Sequence, residues 1–121
     1  MSKLVNRFED LVAWQRAVDL GAVIYDLTSS GRFARDRGFS DQMRRSAISI
    51  SSNIAEGFER HSRADFRRFL AFAKASCAEL RSQIHVAVRL KYISTEIHDS
   101  TVAAAEQVAA KIARLRSSLV Q

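Results

Sequence analysis

The chain contains no proline, and glycine stands at only four positions, Gly21, Gly31, Gly38 and Gly57. These two residues interrupt helices more readily than any others, so a chain almost free of them favours long, unbroken helical segments. The punctuation that remains predicts four. A first helix is expected over about 10–29, ended by Ser29, Ser30 and Gly31. The second starts after Ser40, a candidate N-cap, and covers 41–57, stopping at Gly57. Ser62-Arg63-Ala64-Asp65 has the pattern of a capping box and opens the third, over 63–93. The fourth follows Ser94 or Thr95 and covers 96–119.

Apolar residues recur at helical spacing in each segment. Met43, Ala47, Ile50, Ile54 and Phe58 form the stripe of the second helix, and Phe66, Leu70, Ala73, Cys77, Leu80 and Ile84 that of the third. Ile97, Thr101, Ala104, Val108, Ile112, Leu115 and Leu119 do the same in the fourth. No alternating β-branched run argues for a strand. Four helices with connections of a few residues pack most simply up-down-up-down, so the expected fold is all-α, an antiparallel four-helix bundle. With 121 residues there is room for one core and one domain, 1–121. The longest unbroken apolar run, Phe69 to Ala73, is far shorter than the roughly 20 residues a membrane span needs. The first residues lack the apolar segment of a signal peptide, and a single cysteine, Cys77, suits a reducing cytoplasm. No membrane partner is expected.

The widths of the apolar faces carry a second message. The first helix has two stripes, Ala13, Ala17, Leu20, Ile24, Leu27 on one side and Leu11, Trp14, Val18, Gly21, Tyr25 on the other. At 100° per residue they span roughly 200° together, more than one bundle core covers. Phe72, Val86 and Leu90 lie outside the core stripe of the third helix in the same way. Apolar surface of this kind marks a protein–protein interface, and Trp14, Val18, Tyr25, Phe72, Val86 and Leu90 are the residues expected to bury themselves against further copies of the chain. The competing reading has the N-terminal ten residues fold back over Trp14 and Tyr25.

Charge is just as unevenly placed. The net charge is +6, and residues 60–91 alone hold eight Lys or Arg against Asp65 and Glu79, so the rest of the chain is neutral. Arg60, Arg67, Lys74 and Arg81 stand seven apart, close to two helical turns, and Arg63, His85 and Arg89 fall on the same strip. From Arg63 to Arg89 such a ridge is roughly 39 Å long. Arginine binds phosphate in a two-pronged fashion, and a ridge of this length can neutralise several phosphates of RNA or DNA, with salt-dependent affinity. Arg60, Arg63, Arg67, Lys74, Arg81 and Arg89 are therefore the candidate nucleic-acid contacts, extended by Arg32, Arg35 and Arg37 from the loop over 31–38. No aromatics are interleaved with these cations, so the expectation is backbone contact with little sequence preference. A solvated charged face and an acidic protein partner are the alternatives.

A line of polar residues, Gln42, Arg45, Ser49, Asn53 and Glu56, runs beside the apolar stripe of the second helix. Its expected role is an interhelical hydrogen-bond network, with Arg45 and Glu56 paired to other helices or subunits. Catalysis finds little support. His61, His85 and His98 are isolated in sequence, the paired Glu-x-x-His of a di-metal bundle is missing, no phosphate-binding glycine loop is present, and Cys77 sits on the core stripe. Neither metal nor cofactor is expected.

The central stretch, Gln42, Arg44, Arg45, Ser49, Ile50, Ser52, Asn53, Ile54, Ala55, Glu56, Gly57, followed by Phe66, Arg68, Phe69, Leu70 and then Ser76, Glu79, Leu80, resembles the motif of the 23S ribosomal RNA intervening-sequence proteins. That family is related to the accessory variability proteins of diversity-generating retroelements. Phe8, Leu11, Trp14, Gln15, Tyr25, Leu27 and Thr28 also fit, so the likeness covers roughly residues 8–93, and Asn-Ile-Ala-Glu-Gly in this context is specific. Ser51 departs from it where the family often has proline, and the loop over 31–38 is short and arginine-rich where a proline-containing one is common. The resemblance implies a non-enzymatic bundle assembled as a ring-shaped homopentamer. Some relatives bind nucleic acid or a reverse transcriptase through basic surface.

Overall fold

The computed structural model describes residues 5–119, and every regular element among them is helical. A 3-10 turn, Phe8–Asp10, leads into α1 (Val12–Leu27); α2 (Gly31–Arg35) is a single short turn; α3 (Arg37–Phe58), α4 (Arg63–Arg89) and α5 (Thr95–Ser117) follow. The four long helices surround one core, with α3 packed against α1 and α4, and α5 packed against α4 and α1.

The core is built from the stripes the periodicity predicts. Ile24 of α1, Met43, Ile50 and Ile54 of α3, Leu70, Cys77, Leu80 and Ile84 of α4 and Ile112 of α5 are wholly buried. Each large aliphatic side chain so removed from water stabilises the fold by about 1.5–3 kcal/mol. Where α3 meets α4 the helices approach closely, and Gly57 is what permits it, because a Cβ there would lie 2.7 Å from Phe69 Cβ.

The caps set the boundaries, and two of them correct the expected ones. Ser62 Oγ accepts from Asp65 N (3.0 Å) and Ser94 Oγ accepts from Ile97 N (3.1 Å), so α4 and α5 begin as their sequences predict. α3, however, begins at Arg37. Its cap is Asp36, whose Oδ1 accepts from Phe39 N at 3.3 Å, whereas Ser40 lies inside the helix, buried, and donates to Phe33 O at 2.7 Å. α4 ends at Arg89 and not near Ile93, because Lys91 turns left-handed (φ 62°) and Lys91 N and Tyr92 N close back on Val88 O and Ala87 O, both at 3.0 Å.

The stretch over 31–38 is not a plain loop. Gly31, at φ 65°, starts α2, which drives Phe33 into the core between Phe39 (ring centroids 5.6 Å apart) and Tyr92 (5.2 Å). Tyr92 OH donates to Asp36 Oδ2 at 2.9 Å, tying the end of α4 to the start of α3.

Candidate nucleic-acid interface

Arg63, Arg67, Lys74, Arg81 and Arg89 all lie on α4, and contacts place their side of the helix beside α5. Arg116 Nε of α5 donates to Arg67 O at 3.0 Å, and His85 Nδ1 meets His98 Nε2 of α5 at 2.9 Å. Arg63, Lys74 and Arg89 are exposed; Arg67 and Arg81 are half-buried, and Arg67 Nε is enclosed without a hydrogen-bond partner. Among the described residues none of these five cations makes an ion pair, while Arg16, Arg60 and Arg68 each find a carboxylate. The ridge thus keeps its charge uncompensated.

Arg60 does not belong to it. It precedes the first turn of α4, pairs with Glu56 at 3.3 Å, and lies 4.6 Å above the Phe69 ring, which Arg68 shares at 5.0 Å. Heptad arithmetic carried Arg60 onto the strip, but the chain between Glu59 and Ser62 is not helical and breaks that register. Arg32 and Arg35 of α2 and Arg37 of α3 gather at the end of the molecule where α4 terminates, with Arg32 5.4 Å from the Tyr92 ring.

Within the single chain the polar line on α3 makes mostly local hydrogen bonds among the described residues. Among the described residues Ser49 alone of this line crosses between helices, its hydroxyl meeting that of Ser76 on α4. Asn53 Nδ2 turns back to Ser49 O (2.8 Å), and Glu56 takes Arg60 one turn later. The side chains of Gln42 and Arg45 are exposed and make no hydrogen bond among the described residues, although both line a cleft with Glu79 of α4.

Most of the large apolar residues left outside the core lie on α1, α3 and α4 away from the ridge, while Val12, Val23 and Ile97 are exposed elsewhere. Val18 (40% exposed) and Tyr25 (43%) stand on the α3-facing edge of α1, and Phe72 (45%), Val86 (44%) and Leu90 (41%) on the outer side of α4, away from its core stripe. Ile48 of α3, 45% exposed, completes the patch beside Gly21. Its position off the apolar stripe of α3 is the signal for it in the sequence. Trp14 departs from the expectation: it is half-buried, with Phe8 packed edge-on at 5.2 Å, so the N-terminal turn covers it but leaves Tyr25 open. Arg44 lies 4.5 Å above the Tyr25 ring while its Nε donates to Thr28 Oγ1 at 2.8 Å.

His85 and His98, isolated in sequence, are brought together, and His98 Nδ1 further contacts Asp99 Oδ1 at 2.8 Å. His61 is exposed at the start of the turn before α4. Cys77 is buried, and its desolvation pushes the thiol from 9.0 up to about 11, with nearby Arg81 pulling weakly the other way. Among the described residues no group of three or more metal-ligating side chains converges, and no helix is long and apolar enough to cross a membrane.

A protein of unknown function from the S23 ribosomal protein family of Bacteroides thetaiotaomicron has the same fold. Its crystal structure superposes with a TM-score of 0.81 at 22% identity, covering 88% of this chain and 96% of that one. No curated protein matches significantly. The family model described as 23S rRNA-intervening sequence protein matches residues 9–114. Nearly the whole helical assembly, from the turn before α1 to the last turns of α5, falls within that match, and the chain belongs to the 23S rRNA-intervening sequence protein family.

Proposed function

We propose that the chain is a non-enzymatic, homo-oligomeric, antiparallel up-down-up-down four-helix bundle of the cytoplasm that binds the backbone of RNA or DNA through the α4 ridge. The observation that carries this reading is the row of five cations along the α5 side of α4 that form no ion pair among the described residues. Its cations neutralise phosphates laid along the ridge without having to break existing ion pairs, and every engaged cation releases counterions. Antiparallel packing is supported by the order of contacts: Arg67 meets Arg116 while His85 meets His98, and Gly57 faces Phe69 while Ser49 meets Ser76. Self-association is supported by the exposed apolar residues on either side of α3, a face distinct from the ridge, so copies can associate while their cations stay open. A pentamer is the size the family resemblance implies.

The test is gel retardation of an RNA duplex. The protein is expected to retard it at low salt and release it as salt rises, and Lys74→Glu with Arg89→Glu is expected to abolish retardation with helicity unchanged, because both residues are exposed. Equal binding by the double variant refutes the ridge. A second reading, an adaptor that docks a nucleic-acid-processing enzyme such as a reverse transcriptase, is favoured by the exposure of Phe72, Val86 and Leu90. An adaptor retains its protein partner through purification after nuclease treatment; a nucleic-acid binder does not.

A further inference from the structure

Two imidazoles from different helices meet where α4 packs against α5. His85 Nδ1 and His98 Nε2 are 2.9 Å apart, with the ring centroids 4.9 Å apart and the planes inclined at 48°. A straight hydrogen bond of this length would hold the centroids about 5.2 Å apart, the contact plus two ring radii. At least one nitrogen is therefore aimed off the line that joins them. The spacing is also that of two nitrogens sharing a metal ion. With metal–nitrogen bonds of about 2.0–2.1 Å, ligands at a right angle lie about 2.9 Å apart and ligands at a tetrahedral angle about 3.3 Å apart. A third contact has the form such a ligand keeps behind it, because Asp99 Oδ1 stands 2.8 Å from His98 Nδ1. An ionised carboxylate there accepts the Nδ1 proton, fixes the ring and leaves the Nε2 lone pair directed at His85. Ile84 and Ala87 on α4 and Thr101 and Ala105 on α5 are buried, so both nitrogens are carried by helices anchored in the core.

We infer that His85 and His98 form a two-histidine site for a divalent late transition-metal ion, Zn²⁺, Ni²⁺ or Cu²⁺, that clips α4 to α5, with Asp99 as the carboxylate behind one ligand. Imidazole suits all three ions, whereas Mg²⁺ and Ca²⁺ take oxygen ligands and do not fit. With the metal held, His98 keeps its proton on Nδ1 and His85 carries its own on Nε2, which has no hydrogen-bond partner among the described residues. Both ligating nitrogens then present lone pairs and both rings stay neutral, whichever ring donates in the metal-free chain. Among the described residues no third metal-ligating side chain converges, so the remaining positions belong to water or an oxyanion. Arg81 and Arg89, one turn before and one turn after His85, oppose the charge of the ion. Asp99 and an oxyanion in an open position offset them. Cys77, the one thiol of the chain, is buried in the core and does not compete for the metal.

The test contains no nucleic acid, which separates it from the ridge: metal binding without RNA retardation leaves the site standing, and retardation without metal binding leaves only the ridge. The full chain is titrated with Ni²⁺ and, separately, with Zn²⁺ at about pH 7.5, where imidazole is mostly neutral. Calorimetry is expected to show saturable, equimolar binding of each ion. Paramagnetic Ni²⁺ is expected to broaden the NMR ring signals of His85 and His98 and to spare those of His61, which precedes the opposite end of α4. His85→Gln, at an exposed position, is expected to abolish binding with helicity unchanged, and His61→Gln to leave it intact. Asp99→Asn is expected to weaken binding by about tenfold or more. Zn²⁺ is expected to raise the urea midpoint of the parent but not that of His85→Gln, because an ion held only by the folded chain favours folding. Binding that does not saturate, that survives His85→Gln, or that broadens His61 together with the pair overturns the site. Affinity unchanged in Asp99→Asn overturns the part given to the carboxylate.

Discussion

Gly57 on α3 and Phe69 on α4 touch so closely that a methyl group built on the glycine would lie 2.7 Å from Phe69 Cβ, with a Phe66 ring carbon at 3.1 Å. Neither neighbour is the far end of a flexible chain in the first contact, so the helices must separate to admit it. Gly57→Ala is expected to destabilise the fold by about 1–3 kcal/mol despite the better helix propensity of alanine. Urea denaturation followed by circular dichroism measures it; a variant as stable as the parent contradicts the close approach.

Lys91 presents the opposite case, a left-handed residue (φ 62°) that is not glycine. A side chain in that region costs about 1 kcal/mol or more, part of which glycine returns through the greater entropy of its unfolded chain. Lys91→Gly is expected to raise stability by up to about 1 kcal/mol, read from the same denaturation curves.

Alkaline pH acts through Cys77. Burial raises its thiol from 9.0 to about 11, so above about pH 9 the unfolded chain loses a proton that the folded one retains. Stability is fully present below that value and falls as pH climbs to about 11, by on the order of 2–3 kcal/mol. Tyr92, raised from 10.0 by its hydrogen bond to Asp36, acts in the same direction. Comparison is therefore made in a Tyr92→Phe background, where adding Cys77→Ala should flatten the remaining slope between pH 9 and 11.

Phe72 and Val86, 45% and 44% exposed, contribute little to the core of a single chain. Phe72→Glu with Val86→Glu is expected to leave the helical spectrum unchanged and convert the oligomer to monomer in sedimentation velocity. A parent that sediments as a monomer at high concentration removes the self-association proposal.

Arg60 and Lys74 make a direct contrast, since both lie on the heptad strip in sequence but only Lys74 stands on the ridge. Lys74→Ala is expected to reduce the salt dependence of RNA binding by about 0.9, whereas Arg60→Ala leaves it unchanged. The reverse result relocates the binding surface to the α3–α4 turn.

Local chemistry made much of this legible before any coordinates. Helices follow from scarce glycine and absent proline, and the buried stripe of α4, Leu70 through Ile84, was readable because helical periodicity depends only on spacing along the chain. The caps at Ser62 and Ser94 were readable for the same reason, each being a contact three residues long. Where a boundary depended on a distant partner, the reading failed: Asp36 rather than Ser40 begins α3 because Phe33 and Tyr92 close over that end, and the left-handed Lys91 carries no glycine to announce it.

Sequence was thus sufficient for the helical class, the core stripes and the concentration of positive charge between 60 and 91. Which cations share a side, that Trp14 is partly covered while Tyr25 stays open, that among the described residues the polar line of α3 reaches another helix at Ser49 alone, and that His85 meets His98 all depend on packing. The reason is physical: periodicity specifies the angle of a side chain around its own helix, but what stands across from that angle is set by how the helices pack together.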